Sequence, residues 1–313
     1  MHRPTIALFA CVAILTPLSC GSDAPSAGGR SGGEAGRTID VVASFYPLQY
    51  VVERVGGAHV SVENLTPSGA EPHELELTAR DTAALSDADL VVYLRGFAPS
   101  VDDGVDDVAD DHSVDVADAA DLSLTYTPIE EGEQNTDEAN TRDPHFWLDP
   151  TRLEAVATAV ADRLGTIDPA DAAEFTANAA ALAADLQQLD GEYRTGLATC
   201  ANTVIVTSHN AFGYLAQRYG MTQMGITGLT PEDEPSPGDL AAVTDFVNAH
   251  HVTTIYYETL VSPAIADTVA AETGAKTEVL DPIEGLSDTS QGADYFAVMR
   301  ANLANLRVGQ DCT

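Results

Sequence analysis

DPADAAEFTANAAALAADLQQLDGEYRTGLA, residues 168–198, decides how the chain is organised. Asp168 can cap a helix, and Pro169 suits a first helical position, where a missing N–H is no loss. Beyond them Phe175, Ala179, Leu182, Leu186, Leu189, Tyr193 and Leu197 recur at spacings of three and four. That spacing puts one apolar stripe on a helix of about 29 residues, or roughly 43 Å. Gly191 and Gly196 weaken its end. A helix of this length exceeds the usual element of one domain and predicts a spine between two lobes.

On either side of the spine the pattern alternates between strand and helix. Before it, TIDVVASF (38–45), HVSVENLT (59–66) and ADLVVYLRG (88–96) read as strands, while YPLQYVVERVGG (46–57) and PTRLEAVATAVADRLG (150–165) read as helices. After Cys200, strands are expected in NTVIVTS (202–208), MTQMGITG (221–228), TTIYYE (253–258) and TEVLD (277–281). Helices are expected in NAFGYLAQRYG (210–220), SPGDLAAVTDFVNAH (236–250), SPAIADTVAAETG (262–274) and from about Tyr295 to Leu306. Such alternation argues for parallel sheets. The predicted fold is α/β with two lobes, each a parallel sheet with flanking helices, joined by one long spine helix. The boundaries are an N-terminal lobe at 38–166, a linking helix at 167–198 and a C-terminal lobe at 199–313.

The first 37 residues read as an export segment. Residues 1–19 carry Arg3 and then an apolar run from Ile6 to Leu15, too short to span a bilayer and suited to the core of a signal peptide. Ser19-Cys20 follows and resembles a lipoprotein signal in which Cys20 becomes the lipidated first residue; plain secretion is the alternative. Residues 20–37 then form a Gly/Ser-rich tether, spanning roughly 20–25 Å as a flexible coil. The expected location is the outer face of the cell membrane, or the periplasm or medium if Cys20 is not lipidated. Export leaves Cys200 and Cys312 as one pair in an oxidising compartment, either bridged or two buried thiols.

Charge narrows the partners. Fourteen Lys and Arg against 49 Asp and Glu give a formal charge of −35, a field that repels nucleic acid and anionic membranes and attracts cations. Much of it sits in residues 102–121, with nine aspartates, and 126–143, with six acids and no histidine. Both look unstructured; solvated loops or helix faces are the plain reading, and gathering cations near a site is the sharper one.

Three of the eight histidines share a setting. His73 lies in a loop after HVSVENLT, His145 in DPHFWLDP before a helix, and His209 after NTVIVTS, where a helix opens. Asp281 likewise follows TEVL. Open α/β sheets place their sites at the carboxyl ends of strands, and three imidazoles with one carboxylate complete a tetrahedral zinc set. Glu258, ending TTIYYE, is the backup for the fourth place. No HExxH occurs, and four protein ligands would leave no position for an activated water, which argues against a zinc hydrolase.

ASFYPL, EPHELELTARD, DPHFWLDP, SHNAFGYLAQRYG, PEDEPSPGDLAAV and EVLDP, with the spine helix between the third and the fourth, resemble the solute-binding lipoproteins of bacterial ABC importers for zinc or manganese. The resemblance covers nearly all of residues 38–313. It implies two lobes on a rigid helix, a metal in the cleft held by His73, His145, His209 and Asp281, and delivery to an ABC permease with its ATPase. A monomer without enzymatic activity is expected. Manganese importers of this type tend to carry a carboxylate where this chain has His209, and imidazole suits Zn²⁺ better than Mn²⁺. Zinc is therefore the expected cargo, with Mn²⁺ or Fe²⁺ as alternatives and a metal-linked adhesin as a further family-level reading. Many zinc members carry a histidine-rich loop where this chain has 126–143.

Overall fold

The computed structural model of the chain describes residues 37–126 and 141–313. The expected signal peptide, Cys20, nearly all of the tether and most of the second acidic stretch lie outside the described residues.

Four short strands open the chain: β1 (Ile39–Ala43), β2 (Val60–Asn64), β3 (Leu90–Tyr93) and β4 (Ser113–Asp115). Between and after them run α1 (Tyr46–Gly56), α2 (Ala79–Asp87), α3 (Pro99–Val108), α4 (Ala117–Ala120) and α5 (Pro150–Ile167). The long helix α6 (Ala172–Gly196) follows. The second half repeats the alternation with β5 (Val204–Thr207), α7 (Gly213–Tyr219), β6 (Thr222–Gly225), α8 (Pro237–Ala249), β7 (Thr254–Tyr257), α9 (Ala264–Thr273), β8 (Lys276–Val279) and α10 (Tyr295–Gly309). Each half builds one four-stranded sheet, ordered β2-β1-β3-β4 and β6-β5-β7-β8. Every pairing is parallel. The two orders are the same: in each lobe the second strand is added on one side of the first and the later strands on the other, and open sheets form crevices at such a switch.

The stripe on the spine is buried along its whole length, from Phe175 through Leu182, Leu186 and Leu189 to Leu197. It packs into the largest core cluster with Leu153, Val156 and Val160 of α5, Val51 and Val55 of α1, and Met299 and Leu306 of α10. One apolar core therefore runs through both halves. Smaller cores lie under the outer helices: Val91, Val101 and Val105 in the first half, Val206, Val243 and Val269 in the second. Residues 37–313 make one compact unit. Cys200 and Cys312 are joined in a disulfide that ties the segment after α6 to the end of the chain.

Two details differ from expectation. The spine is 25 residues long, because α5 continues past Gly165 to Ile167 and Asp168–Asp171 form the turn between the helices. Asp168 accepts Ala170 N–H within that turn at 3.0 Å, and Asp171 takes the cap position of α6. The aspartate-rich stretch 102–121 is structured: it supplies most of α3, then β4 and α4. Val101 and Val105, one helical turn apart, are buried while Asp103, Asp106 and Asp107 face solvent or its margin, so a single thin apolar edge suffices to dock the helix.

Candidate metal centre

The site forms where loops from both sheets meet. DPHFWLDP is folded on itself: Asp143 Oδ1 accepts the backbone N–H of His145 at 2.9 Å, and Phe146, Trp147 and Leu148 form a fully buried helical turn. Asp149 and Pro150 then start α5, the carboxylate accepting Thr151 N–H. Trp147 Nε1 donates to Pro282 O at 2.7 Å, and Tyr295 Oη donates to Trp147 O at 2.6 Å. The turn that carries His145 is thereby bonded to the loop after β8 and to α10. Gly213, at the start of α7, permits this packing, since a Cβ there would stand 2.5 Å from Asp143 Oδ2.

His73 sits in the loop after β2, its ring against Phe97 with centroids 4.3 Å apart. His209 follows β5, and its carbonyl accepts Thr207 Oγ1 at 2.6 Å. The helix begins only at Gly213, so His209 belongs to the strand end and not to the helix. The Nε2 atoms of His73 and His209 each lie 3.3 Å from His145 Nε2. Glu284 closes the group: its Oε1 is 3.1 Å from His209 Nε2, 3.2 Å from His145 Nε2 and 3.6 Å from His73 Nε2. His73, His145, His209 and Glu284 are all buried and are the only such set of potential ligands among the described residues.

Those separations have a simple meaning. Four donors each about 2.0–2.1 Å from a central zinc, at tetrahedral angles, stand about 3.3–3.4 Å from one another. The five separations given above, 3.1–3.6 Å, match edges of that polyhedron, and all four atoms lie within 4.8 Å of one another. Two imidazoles are also oriented from behind. Asp143 Oδ1 lies 2.8 Å from His145 Nδ1, and Glu258 Oε1 lies 2.5 Å from His209 Nδ1. A carboxylate on Nδ1 keeps the proton there and leaves Nε2 free to ligate. Glu284 Oε2 is buried with no hydrogen-bond partner, an arrangement that is costly without a cation beside it.

Without metal, the cluster holds its charge internally. Burial pushes His73 down to about 4, so that ring is neutral. Burial opposes charge on His145 too, but the Asp143 and Glu284 carboxylates outweigh it and raise that imidazole. At His209, burial is overcome by Glu258 and Glu284, which raise it well above the ordinary value. Glu284 would be raised by burial, yet His209 and His145 hold it well below the usual carboxylate range. Near the rim, burial and Glu284 raise Glu71 to about 7.

Glu284, not Asp281, occupies the fourth corner. Asp281 is buried but turned away, accepting Thr259 Oγ1 and Ile283 N–H at 2.8 Å each. Glu258, the backup, stands behind His209 and outside the four. The remaining described histidines are elsewhere; His59, for example, pairs with Asp171 and Glu174 at the start of α6.

Residues 41–309 match the family described as zinc-uptake complex component A, periplasmic. The chain belongs to this zinc-uptake family. Among the relatives, the high-affinity zinc uptake system protein ZnuA of Bacillus subtilis is 33% identical, over 98% of each chain. The zinc-binding lipoprotein AdcA of Streptococcus pneumoniae is 36% identical over 89% of this chain, which spans 57% of that longer protein. The Zn(II)-bound ZnuA-like domain of the same AdcA superposes with a TM-score of 0.71 at 34% identity, covering 88% of this chain and 99% of the domain. The laminin-binding protein Lmb of Streptococcus agalactiae, described as having adhesin and metal-transporting activity, gives 0.73 at 33% identity, covering 87% and 99%. Membership in the zinc-uptake family agrees with a buried His₃-carboxylate cluster between two parallel sheets.

Glu284 had one signal in the sequence. It is a lone carboxylate in the otherwise apolar run PIEGL just past a strand end. Asp143 and Glu258, which orient imidazoles, had position alone.

Proposed function

We propose that this protein captures Zn²⁺ outside the cytoplasm and delivers it to the permease of an ABC importer, with His73, His145, His209 and Glu284 as the ligands. The observation that carries this reading is the convergence of three imidazole nitrogens and one carboxylate oxygen within 4.8 Å of one another, all buried. The incoming ion replaces its water shell with three neutral imidazoles and one carboxylate, a set that suits Zn²⁺ over the oxygen-rich, higher-coordinate demands of Mn²⁺. Four protein donors leave no place for an activated water, which favours carriage over hydrolysis. Release requires the two sheets' loops to part, because each contributes donors. The proposal includes an anchor at a lipidated Cys20, a monomer, and an ATPase subunit behind the permease. No helix among the described residues is long and apolar enough to cross a membrane.

The test is a chelator-competition titration of metal-free protein with Zn²⁺ and with Mn²⁺. Trp147 serves as reporter, its ring centroid lying 5.3 Å from that of His145. One tight zinc equivalent, weaker manganese, and a loss of orders of magnitude in His145→Ala are expected. Zinc affinity unchanged in His145→Ala would refute the site. The Lmb likeness keeps an adhesin role as a separate question, answered by whether metal removal alters any such binding.

A further inference from the structure

Asp281 lies outside the cluster, yet all four of its polar atoms are engaged. Oδ1 accepts Ile283 N–H at 2.8 Å and Oδ2 accepts Thr259 Oγ1 at 2.8 Å. Its backbone N–H donates to Asn302 Oδ1 at 2.9 Å, and its carbonyl accepts Asn302 Nδ2 at 2.7 Å. Asn302 belongs to α10, so the helix grips Asp281 by both backbone groups.

Both side-chain bonds lead back to the site. Ile283 precedes Glu284 and has φ of +60°, a left-handed conformation that a β-branched residue rarely adopts. Such a conformation persists only where the surroundings hold it. Here the holders are the Asp281 carboxylate on Ile283 N–H and Trp147 Nε1 on Pro282 O. On the other side, Thr259 follows Glu258, whose carboxylate sets His209 from behind. One buried carboxylate thus bonds to the turn that aims one ligand and to the residue beside the group that orients another.

We propose that Asp281 is a positioning residue for zinc: it locks the left-handed turn that sends Glu284 into the cleft, and keeps that turn in register with the Glu258–His209 pair. This rests on the reading of His73, His145, His209 and Glu284 as the zinc ligands. The required property is the geometry of Asp281 as a hydrogen-bond partner. An amide can serve the same bonds, with Oδ1 accepting Ile283 N–H and Nδ2 donating to Thr259 Oγ1.

The experiment measures zinc affinity by chelator competition on the full chain for wild type, D281A, D281N, E284A and D281A/E284A. Visible absorption of the Co²⁺-loaded proteins is recorded beside it. Loss of an outer partner of a metal ligand typically weakens binding about 10–100-fold, and D281A should fall in that range. D281N should recover to within about threefold of wild type, a rescue that a ligand or a purely electrostatic role would not allow. In the E284A background D281A should cost less than about threefold, and the Co²⁺ bands of D281A should shift as the carboxylate loosens. Wild-type affinity in D281A, equal damage in D281N and D281A, or the full penalty persisting without Glu284 would each overturn the proposal. Should D281A not fold, D281N decides alone: a loss of tenfold or more refutes it. Failure of the underlying site shows differently, as wild type and E284A binding zinc alike, and would remove this inference with it.

Discussion

Zinc binding should release protons, and more of them than two ordinary imidazoles would give up. In the metal-free cluster His73 is neutral at pH 7, held down to about 4 by burial. Glu284 is ionised, since its neighbouring imidazoles hold it well below the carboxylate range. His145 and His209 are both raised, burial being outweighed by Asp143 and Glu284 in one case and by Glu258 and Glu284 in the other. A bound zinc occupies Nε2 of each, so their extra protons must leave. The sign follows: a group raised in the metal-free state weakens metal binding as pH falls through its raised value, and competes little above it. Two ordinary imidazoles near pKa 6.5 are each about a quarter protonated at pH 7 and would release about half a proton together. With His209 raised well above that value and His145 raised as well, the release should exceed that half proton per zinc. Two ordinary imidazoles would lower affinity less than about twofold between pH 8 and 7, and the raised pair should lower it more. The assay is calorimetry at pH 7 in buffers of different ionisation enthalpy, which counts the protons directly. A release of half a proton or less would refute the reasoning.

Other outcomes follow from the same structure. Replacing Cys200 and Cys312 by serine opens a bridge spanning 112 residues and should lower unfolding stability by about 5 kcal/mol in the chain-entropy account, read from denaturant midpoints, with zinc affinity of the folded protein changed little. Leu182→Ala empties a fully buried position on α6 and should cost about 3 kcal/mol in the same assay; a cost below about 1 kcal/mol would mean that the spine is not packed as described.

The fold was legible because its strong patterns are local. The stripe from Phe175 to Leu197 is buried as its spacing requires, and every strand expected from an apolar run pairs in one of the two sheets. The aspartate-rich helix α3 was harder to read, since only Val101 and Val105 mark its buried edge and the charge around them reads as loop. The three histidines stood out by sharing a setting at strand ends and in loops. The fourth corner did not, and the reason is backbone conformation. Asp281 sits two residues past β8, as His209 sits two past β5, but the left-handed turn at Ile283 carries the chain around and presents Glu284 instead. A reversal of that kind depends on Trp147, Thr259 and Asn302, which are distant in sequence, so residue spacing alone does not contain it.

The identity of the four donors is tested by a crystal structure of the zinc-loaded protein with anomalous data at the zinc edge. One ion is expected about 2.0–2.2 Å from Nε2 of His73, His145 and His209 and from a carboxylate oxygen of Glu284, with Asp281 still bonded to Ile283 and Thr259. Zinc held by Asp281 or Glu258 in place of Glu284, or lying outside this cluster, would contradict it.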